Sequence, residues 1–172
     1  RRPIEAIVSS VLGLAQRHGR RVTIVGSRHV ESLGLAPSPA LSVVGEASPA
    51  QAATLVAGAE LLVTTPGIGT IYDALSSRVP LVMLPPMNST QLLQYDVLAA
   101  RGFAGTIAPR EQEALVRAAA TVPWDRQTAV CVEWLNRRTG EALSLLPALA
   151  RALLDDGTRH DARAERLARQ QA

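Results

Sequence analysis

The chain has 172 residues, 47% apolar but only 3% aromatic, with a formal net charge of +3. That length supports one domain whose core is built from Leu, Val, Ile and Ala, which suits helices packed on a parallel sheet better than an aromatic-rich sandwich. No apolar run approaches a membrane span, Cys131 is the lone cysteine and fits a reducing cytoplasm, and the 18 basic residues, all arginine, are too dispersed for a nucleic-acid surface.

Arginine everywhere means that each fixed cation is a planar fork suited to carboxylate or phosphate. The N-terminal stretch RRPIEAIVSSVLGLAQRHG is expected to be an amphipathic helix, because Ile4, Val8, Val11, Leu12 and Ala15 recur at helical spacing. Apolar runs at 22–25, 41–44, 61–63 and 81–84, with a weaker one at 105–108, read as short strands covered on both faces. Between the first two, VESLGLAPSPA reads as a short helical turn and loop.

Helical patterns follow from Pro49 to about 58, with Ser48 as N-cap, from about 69 to 77, and from about 89 to 101. Strand then helix, repeated about every 20 residues, predicts an α/β fold: a Rossmann-like, doubly wound parallel sheet with helices on both faces. Beyond Arg110 the pattern becomes helical, over 111–121, 124–135 and 141–154, with a break expected at Thr139-Gly140. The expected organisation is a ligand-binding domain over 1–122, C-terminal helices over 123–157 that pack on it or cross to a partner domain, and a polar tail over 158–172. The chain opens on a helix, so a first strand and its turn are expected upstream of Arg1.

In an open parallel sheet ligands sit at the carboxyl ends of the strands. Four loops fall there: Gly26-Ser27-Arg28-His29, Gly45-Glu46-Ala47-Ser48, the segment from Thr64 to Thr70, and the segment from Pro85 to Gln91. Gly67 and Gly69 leave the N–H groups of Ile68, Gly69 and Thr70 bare at a helix start, which carries about +0.5 charge and suits a phosphate. Asp73, one turn after Thr70, could accept the hydroxyl protons of a ribose. The competing reading is a plain tight turn with Asp73 as a solvated helix residue. Among Asn88, Ser89 and Thr90, one is expected to cap the next helix, and Gln91 could hold sugar hydroxyls without charge.

The stretch AELLVTTPGIGTIYDALSSRVPLVMLPPMNSTQLLQYDVLAARG, residues 59–102, resembles the donor-binding core of two-domain (GT-B type) glycosyltransferases, notably the peptidoglycan N-acetylglucosaminyltransferase and the UDP-glycosyltransferases. The resemblance extends over about residues 20 to 120. Ala59-Glu60 matches the small-acidic pair before the strand, and Gly67, Gly69 and Thr70 match the turn that receives the diphosphate. Asp73 stands where the family usually has the glutamate that binds the ribose diol, Gln91 on the glutamine that touches the donor sugar, and Gln94 where asparagine is more usual. The Pro-Pro-x-Asn-x-x-Gln segment also looks like the cytosylglucuronate-synthase-like enzymes. The sequence departs from the pattern in Asp73, one methylene shorter than glutamate, in Thr90, where an acid often precedes the glutamine, and in Pro66, which replaces a small residue.

The resemblance implies an inverting, metal-independent transfer of a sugar from a UDP-sugar, with no cofactor. It implies a donor site of Gly67, Ile68, Gly69, Thr70, Asp73, Asn88, Ser89, Thr90 and Gln91, with Arg28 reaching phosphate or a uronate carboxylate and Ser27 and Ser48 lining the nucleotide. The acceptor domain and catalytic base would lie on an N-terminal domain or a partner chain, through which any membrane association would be peripheral. Two alternatives remain open at this level: a non-catalytic donor-binding subunit, and an enzyme like the UDP-sugar 2-epimerases. The latter usually show Ser-Gly-Gly and paired acids where this chain has only Asp73.

Overall fold

In the computed structural model, which describes residues 3–26, 34–35 and 38–155, the apolar runs become short parallel strands joined by helices. The chain divides into two units, Arg1–Leu55 and Val56–Ala172.

In the first unit, α1 (Pro3–Arg17) buries Val8 and Leu14 and packs against β1 (Val22–Val25). Gly19, at φ +61°, ends the helix in the left-handed conformation that glycine reaches at least cost. Strand β1 runs parallel to β2 (Leu41–Val44), with Val22 opposite Leu41 and Val25 opposite Val44. β1 alternates half-buried and exposed residues, so it is not the strand covered on both faces that its composition suggests. A reciprocal pair opens α2 (Pro49–Ala57): the Gln51 N–H donates to Ser48 Oγ at 3.3 Å, and the Ser48 N–H donates to Gln51 Oε1 at 2.9 Å. This Ser-x-x-Gln box satisfies two amides that a helix start would leave unpaired.

The second unit holds a three-stranded parallel sheet in the order β3 (Leu62–Thr64), β4 (Leu81–Met83), β5 (Ala104–Gly105), so the strands among the described residues fall into a two-stranded and a three-stranded parallel sheet where one sheet was expected. Leu62 pairs with Leu81 and Val82 with Ala104. All three residues of β4 are buried, as expected for a central strand, and each large side chain buried there stabilises the fold by about 1.5–3 kcal/mol. The crossover helices α3 (Ile68–Ser76) and α4 (Ser89–Ala100) bring Ile71, Leu92 and Tyr95 into one core with Leu81 and Met83. A smaller cluster joins Val56, Ala74 and Val79.

The fifth strand is shorter and earlier than the run 105–108 suggests. Thr106 still reaches back to the sheet, its N–H and Oγ1 both donating to the Met83 carbonyl at 2.9 and 3.1 Å. The Ile107 N–H leaves the ladder and donates instead to the buried Tyr95 hydroxyl at 2.9 Å. Gly105 sits directly against that tyrosine: a Cβ there would lie 2.6 Å from Tyr95 Cζ and closer still to its hydroxyl oxygen.

Among the described residues three more helices follow in the unit: α5 (Pro109–Ala120), α6 (Trp124–Ser144) and α7 (Leu146–Asp155). Helix α6 packs on α4 and α5 and brings Cys131 fully into the core, while α7 packs against β4 and has Leu146 and Ala150 buried. The break expected at Thr139-Gly140 is absent. Thr139 turns its hydroxyl back onto the Leu135 carbonyl, Arg138 pairs with Glu141 in the next turn and with Glu111 of α5 at 3.4 Å, and the helix continues. The break comes at Leu145, just ahead of Pro147, whose ring cannot follow a continuous helical turn. No helix among the described residues is long and apolar enough to cross a membrane.

Candidate functional site

The β3–α3 connection is a narrow turn. Pro66 is buried, and the Gly67 N–H closes back on the Thr65 carbonyl at 2.7 Å. Gly67 then serves as N-cap of α3 with an extended backbone (φ −91°, ψ 127°), and its carbonyl accepts the first helical bond, from the Ile71 N–H at 3.0 Å. No side chain among the described residues caps this helix. The amides of Ile68, Gly69 and Thr70 therefore have no acceptor among the described residues, and they point out of the positive end of the helix.

Neither glycine is required by a positive φ. At Gly67 an added Cβ would come no closer than 4.0 Å to the Thr65 oxygen; at Gly69 it would meet nothing within 4 Å. Gly67 has a local reason, because glycine is a better N-cap than alanine. Gly69 has none in the fold, although alanine is the better helix former. The open space above it is what a closely approaching ligand needs.

Helix α3 buries Ile71 and Ala74, leaving Ile68, Gly69 and Tyr72 exposed. Asp73 lies one turn beyond Gly69 and Thr70, half-buried, and its carboxylate has no hydrogen-bond or ion-pair partner among the described residues. An acid with no partner among the described residues, on the same helix as bare amides, can bind a diol.

The second loop is organised differently. Pro85 and Pro86 are fully buried and stiffen the exit from β4. Asn88 caps α4, its Oδ1 accepting from the Gln91 N–H at 2.9 Å. Ser89 is buried, and its N–H faces Thr128 Oγ1 of α6 at 3.4 Å; Thr90 is exposed. Gln91 spends both ends of its carboxamide on the protein: Oε1 accepts from the Met87 N–H at 2.8 Å, and Nε2 donates to Thr65 Oγ1 at 3.3 Å. That last bond ties the β4–α4 loop to the turn carrying Gly67. One helical turn on, Gln94 Oε1 is buried with no donor among the described residues.

Gly67, Ile68, Gly69, Thr70 and Asp73 are thus grouped on α3 and its entry, and Asn88, Ser89, Thr90 and Gln91 are joined to them through Thr65. Ser48 is engaged in its capping box in the Arg1–Leu55 unit. Ser27, Arg28 and His29 lie outside the described residues. Thr65 and Thr128 were not singled out from the sequence. A threonine preceding Pro-Gly could have drawn attention to the first, whereas nothing local marks the second. Among the described residues no group of three or more His, Cys, Asp or Glu could hold a metal.

The model of a family described as CGA synthase-related protein matches residues 3–140. No curated protein matches the sequence. A solved structure described as the glycotransferase of kitacinnamycin aligns at 23% identity with a TM-score of 0.49, covering 95% of this chain and 38% of that one. The chain therefore spans well under half the length of that structure.

Proposed function

We infer that this chain, which belongs to the CGA synthase-related protein family, binds the nucleoside-diphosphate part of a sugar donor and serves as the donor-binding half of a glycosyltransferase of the two-domain GT-B type. The observation that carries this reading is the row of bare amides at Ile68, Gly69 and Thr70, beneath open space that Gly69 leaves for no reason of its own. The donor is a UDP-sugar, as the likeness of residues 59–102 to UDP-sugar-dependent enzymes implies.

Transfer breaks the bond between the anomeric carbon and the diphosphate oxygen while an acceptor oxygen attacks from the opposite face, so the configuration inverts. Negative charge grows on the departing diphosphate. Fixed amide dipoles aimed at it stabilise that charge more than they stabilise the bound donor, because they need no reorganisation as the bond breaks. Asp73, downstream on the same helix, accepts from the ribose hydroxyls and fixes the nucleoside, so that the diphosphate is presented to the amides in one register. The acceptor and the base that takes its proton come from another domain or a partner chain in the cytoplasm.

Calorimetric titration with UDP, UDP-glucose, UDP-N-acetylglucosamine and UDP-glucuronate tests this. Asp73→Ala should weaken UDP and uridine alike by about 1–3 kcal/mol, the loss of a hydrogen bond to a charged group. Unchanged affinities would remove Asp73 from the site, and no binding of any of the four ligands by the wild type would end the reading.

A further inference from the structure

We propose that Gln91 is a positioning residue that holds the β3–α3 turn, and with it the amides of Ile68, Gly69 and Thr70, in the orientation that meets a diphosphate. The proposal rests on the nucleotide reading above but assigns Gln91 a different task from sugar recognition.

The carboxamide is held at both ends. Its oxygen accepts from the Met87 N–H at 2.8 Å, its nitrogen donates to Thr65 Oγ1 at 3.3 Å, and its own backbone N–H is fixed by Asn88 Oδ1 at 2.9 Å. The side chain therefore forms a bridge between two loops, anchored on one side by the stiff Pro85-Pro86 exit and on the other by Thr65. Thr65 stands two residues before the N-cap. Its carbonyl takes the Gly67 N–H at 2.7 Å, and its hydroxyl is held by Gln91. Rotation of Thr65 would carry that carbonyl, the Gly67 N–H it holds and hence the start of α3 with it. Among the described residues no side chain caps α3; the Thr64 hydroxyl donates to the same Thr65 carbonyl at 3.0 Å from within the turn, and Gln91 is the side chain that holds Thr65 from the other loop. A second bond braces the α4 side, from the Ser89 N–H to Thr128 Oγ1 at 3.4 Å.

A residue that only touched the donor sugar would matter for UDP-sugars and not for UDP. A residue that sets the amides matters for both. Titration of wild type, Gln91→Ala, Thr65→Val and the double variant with UDP, uridine and UDP-glucose separates these. Gln91→Ala loses both carboxamide bonds, of which the one to Thr65 bears on the turn, and we expect it to weaken UDP roughly three- to tenfold, the effect of that one neutral hydrogen bond. Uridine affinity should stay near wild type, Thr65→Val should match Gln91→Ala, the double variant should lose little more, and Thr65→Ser should retain UDP affinity.

In the free protein, the amide signals of Ile68, Gly69 and Thr70 should shift in nitrogen–proton correlation spectra of Gln91→Ala. Full UDP affinity in Gln91→Ala with a loss confined to UDP-glucose, or unmoved amide signals, would overturn the assignment. Failure of the wild type to bind UDP would instead overturn the nucleotide reading, and the free-protein spectra would then decide on the bridge alone.

Discussion

Substituting Gly69 by alanine should make the protein more stable and less able to bind its ligand. The Cβ would meet no heavy atom within 4 Å, and the backbone there does not occupy the left-handed region, so the fold loses nothing. Replacing a helical glycine under those conditions stabilises by about 0.4–1 kcal/mol, chiefly by restricting the unfolded chain. For a domain of this size that raises Tm by roughly 1–4 °C. Side chains on a helix lean toward its N-terminus, so the new methyl group would project toward the space in front of the amides. A diphosphate forced back would lose one or more charge-assisted hydrogen bonds worth about 1.5–3 kcal/mol each, a fall of at least roughly tenfold in affinity. Thermal unfolding and UDP titration on the same preparation read the two effects with opposite signs. A lower Tm would show that the fold itself demands Gly69, and a higher Tm with undiminished UDP affinity would show that the open corner serves no ligand.

Three further outcomes test the frame that holds the site. Gly105→Ala forces Tyr95 out of contact with Ile107 and should cost about 2–4 kcal/mol in urea unfolding, combining overpacking with an orphaned amide; a cost under about 0.5 kcal/mol would disprove that packing. The Tyr95 phenol, its pKa pushed up to about 12 by burial and lowered only in part by the Ile107 bond, stays protonated in the fold while an unfolded tyrosine ionises near 10. Its stabilising contribution is complete below pH 10 and is lost as pH rises to about 12, at about 1.4 kcal/mol per unit, so Tyr95→Phe should flatten the alkaline unfolding profile over that window. Gln94→Met removes a buried acceptor without a donor and should raise stability by about 1 kcal/mol, measured by the same denaturation; a drop of that size would show that the carbonyl is paired in solution.

The parallel α/β architecture could be read from the chain because its signals are local. Apolar runs of three or four residues, the Pro49 helix start and the glycine after α4 each specify their own element; the first two strands fall on 22–25 and 41–44 as expected, and the bounds of the next two differ by one residue. The fifth strand and the break in the last helices could not be read so. The first depends on a tyrosine hydroxyl twelve residues away competing for the Ile107 amide. The second depends on burial of Leu135, Thr139, Ala142 and Leu143, one face of α6 that spans Gly140 and carries the helix past the point where a local scan would end it. The glycine turn and Asp73 were visible because their chemistry lies in adjacent residues. The partners of Gln91 were not, since a hydrogen bond to Thr65 spans 26 positions and exists only once two loops have been brought together.

Cys131 offers a readout of its own. The chain has a single sulfhydryl, it is fully enclosed between α6 and its neighbours, and burial pushes its pKa up, so the reactive thiolate is scarce in the folded protein. A thiol-directed dye can reach it only when α6 parts from α4 and α5. The rate of labelling therefore counts those openings, and its slowing on addition of nucleotide would measure how firmly an occupant beside the start of α4 clamps α6, whose Thr128 meets the Ser89 N–H one turn before Cys131.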